Sequence, residues 1–148
     1  MRVVVQKARN ARCIVDNKCV GESEFGYMLL VGFTHTDTLE EVKHLATKIA
    51  GLRIFEDENH KLNKNIYDVN GSILAISQFT LYADARKGNR PSFTEAMKFD
   101  EASKLFNCFV DELKALNIPV QTGVFGADME IEFVNIGPTT IILDSKQI

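Results

Sequence analysis

The sequence predicts an α+β domain, a largely antiparallel twisted sheet covered by two helices. Three observations carry this. Several short stretches are apolar or strictly alternating, as strands are. Two others place their apolar residues at helical spacing behind capping signals. The resulting order, β-β-β-α-β-α-β-β-β, lacks the regular alternation of a parallel α/β fold. At 148 residues, 45% hydrophobic and 25% charged, the chain reads as one domain over residues 1–148. That length buries roughly 68–70% of the unfolded surface.

Taken in order, Arg2 to Val5 and Arg12 to Val15 read as strands, and Asp16-Asn17-Lys18 offers a turn before Cys19-Val20. Tyr27 to Phe33 is a continuous apolar run, as a buried strand is. Thr38-Leu39-Glu40-Glu41 forms a capping box, a hydroxyl followed three residues on by a carboxylate. Behind it Leu39, Val42, Leu45, Ala46, Ile49 and Leu52 share one helical face, closing near Gly51. Glu56 to Asn65 is polar and turn-rich, a loop or hairpin. Ser72 to Leu81 reads as another buried strand, opening into a loop from Ala83 to Pro91. Asp100 is the expected cap of a second helix, whose Ala102, Leu105, Phe106, Phe109, Val110, Leu113 and Leu116 make a wide apolar face; Asn117 and Pro119 end it. The chain is β again at Val120 to Val124 and through the alternating Met129 to Phe133. Gly137-Pro138 interrupts, and Thr139 to Leu143 resumes.

Composition narrows the function classes. A net charge of −3 weighs against a protein that coats duplex nucleic acid, but not against an enzyme gripping one RNA end. Cys13, Cys19 and Cys108 are odd in number and lack C-x-x-C spacing, so reduced thiols in a cytoplasmic protein are expected. No stretch approaches the ~20 apolar residues of a membrane span, and the start lacks a signal-peptide pattern. The phosphate-cradling glycine motifs, the G-x-S-x-G elbow and H-E-x-x-H are all absent from the sequence. His35, His44 and His60 are scattered, so neither a metal site nor a cofactor is expected.

Three segments remain. Ser77-Gln78-Phe79-Thr80-Leu81 ends an apolar strand; alternation places Ser77, Phe79 and Leu81 on one face and Gln78 with Thr80 on the other. Hydrogen bonds to neighbouring backbone would account for these polar groups as well as a site would. Asn135 to Thr140 holds a Gly-Pro pair inside a strand pattern, which marks a bulge, an edge or a simple turn. Arg86, Lys87 and Arg90 put three cations in five residues, a phosphate grip or merely a solvated loop.

Together, SQFTLYAD (Ser77–Asp84), RKGNRPSF (Arg86–Phe93), TGVFGADM (Thr122–Met129) and NIGPTT (Asn135–Thr140) resemble the D-aminoacyl-tRNA deacylase family in order and spacing. The likeness runs end to end, from VVVQKA at Val3 through GLRIFEDENHKLNKN at Gly51 to the last strand. It implies sheets rolled into a barrel-like body with two helices packed outside, and a homodimer with sites at the interface. The implied substrate is the 3′ end of an aminoacyl-tRNA carrying a D-amino acid or glycine. The resemblance further implies a cis Gly137-Pro138 pair that enters the partner subunit's site, where its backbone takes the α-amino group and excludes L side chains. Ser77, Gln78, Phe79 and Thr80 would line the pocket at the ester, with Phe125 and Met129 flanking the terminal adenosine.

Thr80 is a nucleophile candidate by type, but no base is visible to activate it, which favours attack by water assisted by the ribose 2′-hydroxyl. Backbone N–H groups near Phe79 and Thr80 would hold the oxyanion. Arg86, Lys87 and Arg90 are assigned to acceptor-stem phosphates on charge alone. Lys7 stands where most members carry an arginine that orients the Gly-Pro pair, and lysine lacks the planar fork. Thr139 replaces a commoner valine, another β-branched residue. Two other readings compete: a relaxed deacylase with a trans Gly-Pro that clears L-alanine, and a non-catalytic nucleic-acid-binding module.

Overall fold

A computed structural model describes residues 1–148. β1 (Arg2–Val15) and β2 (Lys18–Gly32) form one long antiparallel hairpin. Its two-residue turn is Asp16-Asn17, at φ 49° and 64°, a left-handed pair that Asp and Asn tolerate better than other side-chain-bearing residues. The separate short strands read at Arg2 to Val5 and Arg12 to Val15 are therefore one strand. The polar stretch between them stays paired to β2, except at Asn10, whose φ of 55° marks an irregularity. α1 (Leu39–Gly51) starts at the expected capping box: the Thr38 hydroxyl accepts from the Glu40 N–H, and the Glu41 carboxylate accepts from the Thr38 N–H at 2.6 Å. Val42, Leu45, Ala46 and Ile49 of its apolar face are fully buried.

β3 (Phe55–Glu56) and β4 (Leu62–Lys64) make a short hairpin of the segment read from Glu56 to Asn65 as a loop or hairpin. β5 (Ser72–Ser77) is shorter than the strand read to Leu81, because its partner runs out. The Gln78 N–H reaches Val31 O at 2.8 Å, and β2 ends at Gly32. The chain then folds over Gly32 into a 3-10 turn, Phe79–Tyr82. A Cβ on Gly32 would lie 2.8 Å from Gln78 O and 3.1 Å from Leu81 Cβ, so the bare glycine is what lets the turn pack there. The alternation expected beyond Ser77 does not apply.

α2 (Phe99–Ala115) is preceded by Lys98, which makes no side-chain cap. The expected cap, Asp100, lies with Glu101 in the first turn instead, where negative charge complements the helix N-terminus. Asn117, at φ 65°, terminates it as anticipated.

β6 (Val120–Thr122) and β7 (Glu130–Asp144) complete an open five-stranded sheet in the order β6-β5-β2-β1-β7. The ladders of β1 with β2 and β7 are antiparallel, while β2–β5 and β5–β6 are parallel. The two helices pack with one face of this sheet around 26 buried residues, including Val3, Val5, Leu29, Leu45 and Phe109. A smaller cluster of Ala8, Ala11, Cys13, Met28, Leu74 and Ile76 meets Met129, Ile131 and Phe133. All three cysteines are free. No helix is long and apolar enough to cross a membrane.

Candidate active site

A cavity of about 590 Å³ opens where β5 ends, between the 3-10 turn, the start of α2 and the segment leading into β7. Eleven of its 15 lining residues are hydrophobic, the apolar character usual for a pocket that buries a flat organic group. Four of them are aromatic rings in two pairs. Phe79 meets Phe93 edge-on at 5.1 Å, and Phe99 meets Phe125 edge-on at 5.0 Å. Phe106 supports Phe125 from inside the fold at 5.7 Å. Phe79 and Phe99 are 58% and 59% exposed, an unusual outlay of large apolar surface that offers stacking faces to a planar ligand. Gly126, at φ +81°, brings the backbone against Phe99, and any Cβ there would collide with that ring.

The polar side of the cavity is the 3-10 turn. It is closed at its two ends by Leu81 N–H to Gln78 O (3.3 Å) and Ala83 N–H to Thr80 O (3.0 Å). A helical turn leaves its first N–H groups without partners; here they belong to Phe79 and Thr80, which donate to nothing within the chain. The Gln78 side-chain amide donates to the Thr80 hydroxyl oxygen. Thr80 thus faces an amide donor, and no general base stands beside it to make it a nucleophile.

Arg2 secures the turn from behind. One guanidinium nitrogen donates to Leu81 O at 2.6 Å, and two donate to Asp144 at 3.0 and 2.9 Å. Burial opposes ionisation of Asp144, but the Lys146 N–H and Arg2 outweigh it and hold the carboxyl below its ordinary range. The Arg2 guanidinium also lies 4.6 Å from the centre of the Tyr82 ring. The Tyr82 hydroxyl is buried without a hydrogen-bond partner, and burial pushes it well above the usual phenol range. Tyr82→Phe is therefore expected to leave stability unchanged or raise it by up to about 1 kcal/mol, since an unsatisfied buried hydroxyl costs free energy. A lowered melting temperature would contradict this.

The cavity gathers Ser77, Gln78, Phe79, Phe125 and Met129, with Thr80 joined to it through Gln78. Gly137 and Pro138 do not line the cavity of their own chain. The bond between them is cis, and the pair stands on an exposed bulge of β7 opposite Lys7. The Lys7 side chain points the other way: it is buried, donates to Ile54 O at 3.3 Å and lies 5.9 Å from the Phe55 ring centre. Within the chain it makes no hydrogen bond to the Gly-Pro pair. Of the loop cations, Arg86 is engaged. Its guanidinium and backbone N–H both donate to Asp84 and draw that carboxyl down to about 2. Lys87 and Arg90 are exposed.

Sequence reasoning missed Phe93 and Phe99 as cavity residues. Phe93 ends the RKGNRPSF motif, a usable signal; Phe99 has only the look of a residue before a helix. Arg2 carried no signal, because an arginine at a strand start is ordinary.

The family model described as D-Tyr-tRNA(Tyr) deacylase matches residues 4–144. A D-aminoacyl-tRNA deacylase of Anoxybacillus flavithermus is 52% identical over 146 residues, covering 99% of this chain and 100% of the relative. One of Thermosipho africanus is 49% identical over 148 residues, covering 100% and 99%. Among solved structures, the c-Myc DNA Unwinding Element Binding Protein superposes with a TM-score of 0.92 at 37% identity, over 97% of this chain and 98% of the other. A probable eukaryotic D-amino acid tRNA deacylase shares the fold, with a TM-score of 0.82 at 19% identity over 96% and 97%. With a family model spanning nearly its whole length and relatives identical at half their positions, the chain belongs to the D-Tyr-tRNA(Tyr) deacylase family.

Proposed function

We propose that this chain, working as one domain, hydrolyses the ester that joins a D-amino acid or glycine to the 3′-terminal adenosine of tRNA. The observation that carries the reading is the junction of an aromatic cavity with two unpaired N–H groups at Phe79 and Thr80. The rings suit an adenine, with Phe125 and Met129 flanking it. The N–H pair suits the oxyanion that forms as the ester carbonyl is attacked. With no base beside Thr80, water is the attacking group, assisted by the ribose 2′-hydroxyl. Ser77 and Gln78 shape the pocket around the ester, and Lys87 and Arg90, with Arg86 beside them, face the acceptor-stem phosphates.

Chiral selection belongs to Gly137-Pro138, which reaches the cavity of a second copy in a homodimer. Two features support this. The pair does not line its own cavity, and the edge strand β7 leaves Val134 and Ile142 at 44% and 67% exposure. A long edge strand with apolar side chains outward is normally covered. Lys7, across the β1–β7 ladder from the bulge, supports that strand pair from the core side. As a tRNA-editing enzyme the protein would act in the cytoplasm.

The test is hydrolysis of D-Tyr-tRNA, L-Tyr-tRNA and Gly-tRNA in the presence of a chelator. Loss of the D and glycyl esters with the L ester intact is the expected result. Cleavage of both enantiomers would keep the deacylase but remove the chiral filter. Binding without any cleavage would favour a nucleic-acid-binding module, the reading in keeping with the name of the 37%-identical c-Myc DNA Unwinding Element Binding Protein.

A further inference from the structure

β1 and β7 are paired up to Gln6–Thr140 and again from Ala8–Asn135. One residue of β1, Lys7, is therefore spanned by four of β7: Ile136, Gly137, Pro138 and Thr139. Such an excursion loses ladder hydrogen bonds and needs others to hold one shape. Proline has no N–H, so the first donor after it is the N–H of Thr139. That donor goes to Asn135 Oδ1 at 2.8 Å. The same amide donates from Nδ2 to Thr140 Oγ1 at 3.0 Å and to Gln6 Oε1 at 3.2 Å. One half-buried side chain thus ties both ends of the bulge together and anchors them to the neighbouring strand, using its acceptor and both donors.

We infer that Asn135, with Gln6 and Thr140, is a positioning residue that sets how far and at what angle Gly137-Pro138 projects, and thereby sets the strictness of selection against L-amino acids. The inference rests on the proposed role of the Gly-Pro pair as the chiral filter. The tip of the bulge has few constraints of its own, since Gly137 and Pro138 are exposed. Its shape comes mostly from the neck. Rejecting an L side chain requires the tip to stay where that side chain would go, and a tip free to retreat admits it. The Gln6 and Lys7 side chains leave opposite faces of β1, so this device is separate from the buried ammonium of Lys7.

The test compares Asn135→Leu, of similar size but without hydrogen bonds, with Asn135→Asp. The aspartate keeps the acceptor for Thr139 and accepts from the Thr140 hydroxyl and a rotated Gln6 amide. The readout is the ratio of kcat/KM for D-Tyr-tRNA to that for L-Tyr-tRNA, together with the melting temperature of each variant. Asn135→Leu should lower the ratio by about tenfold or more, the scale of losing one or two hydrogen bonds, chiefly by admitting the L ester. Asn135→Asp should restore most of it. A purely structural role would lower both rates alike and leave the ratio unchanged. If the unaltered chain discriminates and Asn135→Leu does so equally well, the inference fails alone. If the unaltered chain cleaves both enantiomers equally, the filter reading fails and this inference with it.

Discussion

Phe79→Pro is expected to lower kcat for D-Tyr-tRNA by about 10²–10³ relative to Phe79→Ala, the range seen when one oxyanion donor is removed. Both variants lose the ring; only the proline also loses the N–H. The site tolerates proline for identifiable reasons. Phe79 is the first residue of a 3-10 turn, where proline's fixed φ is suitable and its missing N–H breaks no bond of the chain. Gln78 before it sits at φ −146° and ψ 85°, outside the helical region that a residue preceding proline must avoid. The two variants should therefore differ by about 1 kcal/mol or less in stability while differing widely in rate. Equal kcat values would take the Phe79 N–H out of the mechanism. Phe79→Ala against the unaltered chain should show itself mainly in KM, since the exposed ring offers a stacking face and the N–H is retained.

Phe106→Ala should destabilise the fold by about 3–5 kcal/mol, as large-to-small changes of buried aromatics do. That is a large share of the ~5–15 kcal/mol that typically holds a domain together. Phe106 is 4% exposed on α2 and belongs to the main core, yet its ring also stands 5.7 Å from Phe125 on the cavity wall. Its loss opens a void directly behind a proposed adenosine-contacting residue. Urea unfolding should show a lower midpoint, and KM for the aminoacyl-tRNA should rise where the variant remains folded. Phe106→Leu, which fills most of the volume, should recover the greater part of both. If Phe106→Ala loses less than about 1 kcal/mol, the cavity wall is not built on this core as described.

How legible each feature was in the sequence followed from the range of the interactions behind it. α1 was readable because its capping box and its buried stripe of Val42, Leu45, Ala46 and Ile49 lie within four turns of chain. The Asp16-Asn17 turn was readable because both residue types accept positive φ. The end of α2 was equally local: Asn117 enters the left-handed region and Pro119 follows. Its start was misplaced by two residues, because Asp100 serves as well in the first turn as at the cap. Ser77, Gln78, Phe79, Phe125 and Met129 were found through family motifs; periodicity assigned faces to Phe79 and Leu81 that the 3-10 turn does not keep.

Local chemistry along the chain thus determined the class of fold, both helices and the hairpin turn, while the site segments were drawn from family motifs. Tertiary structure decided the rest. Ser72 to Leu81 breaks at Ser77 because β2 stops at Gly32 and leaves no strand to pair with. That break frees the Phe79 and Thr80 N–H groups. Arg2 becomes part of the site only because β1 carries it beside Leu81 and Asp144, 79 and 142 residues away. Asn135 matters because Gln6 lies across the ladder from Thr140. Each of these depends on partners distant in sequence, and such pairings arise from packing a whole sheet, which no window of local pattern contains.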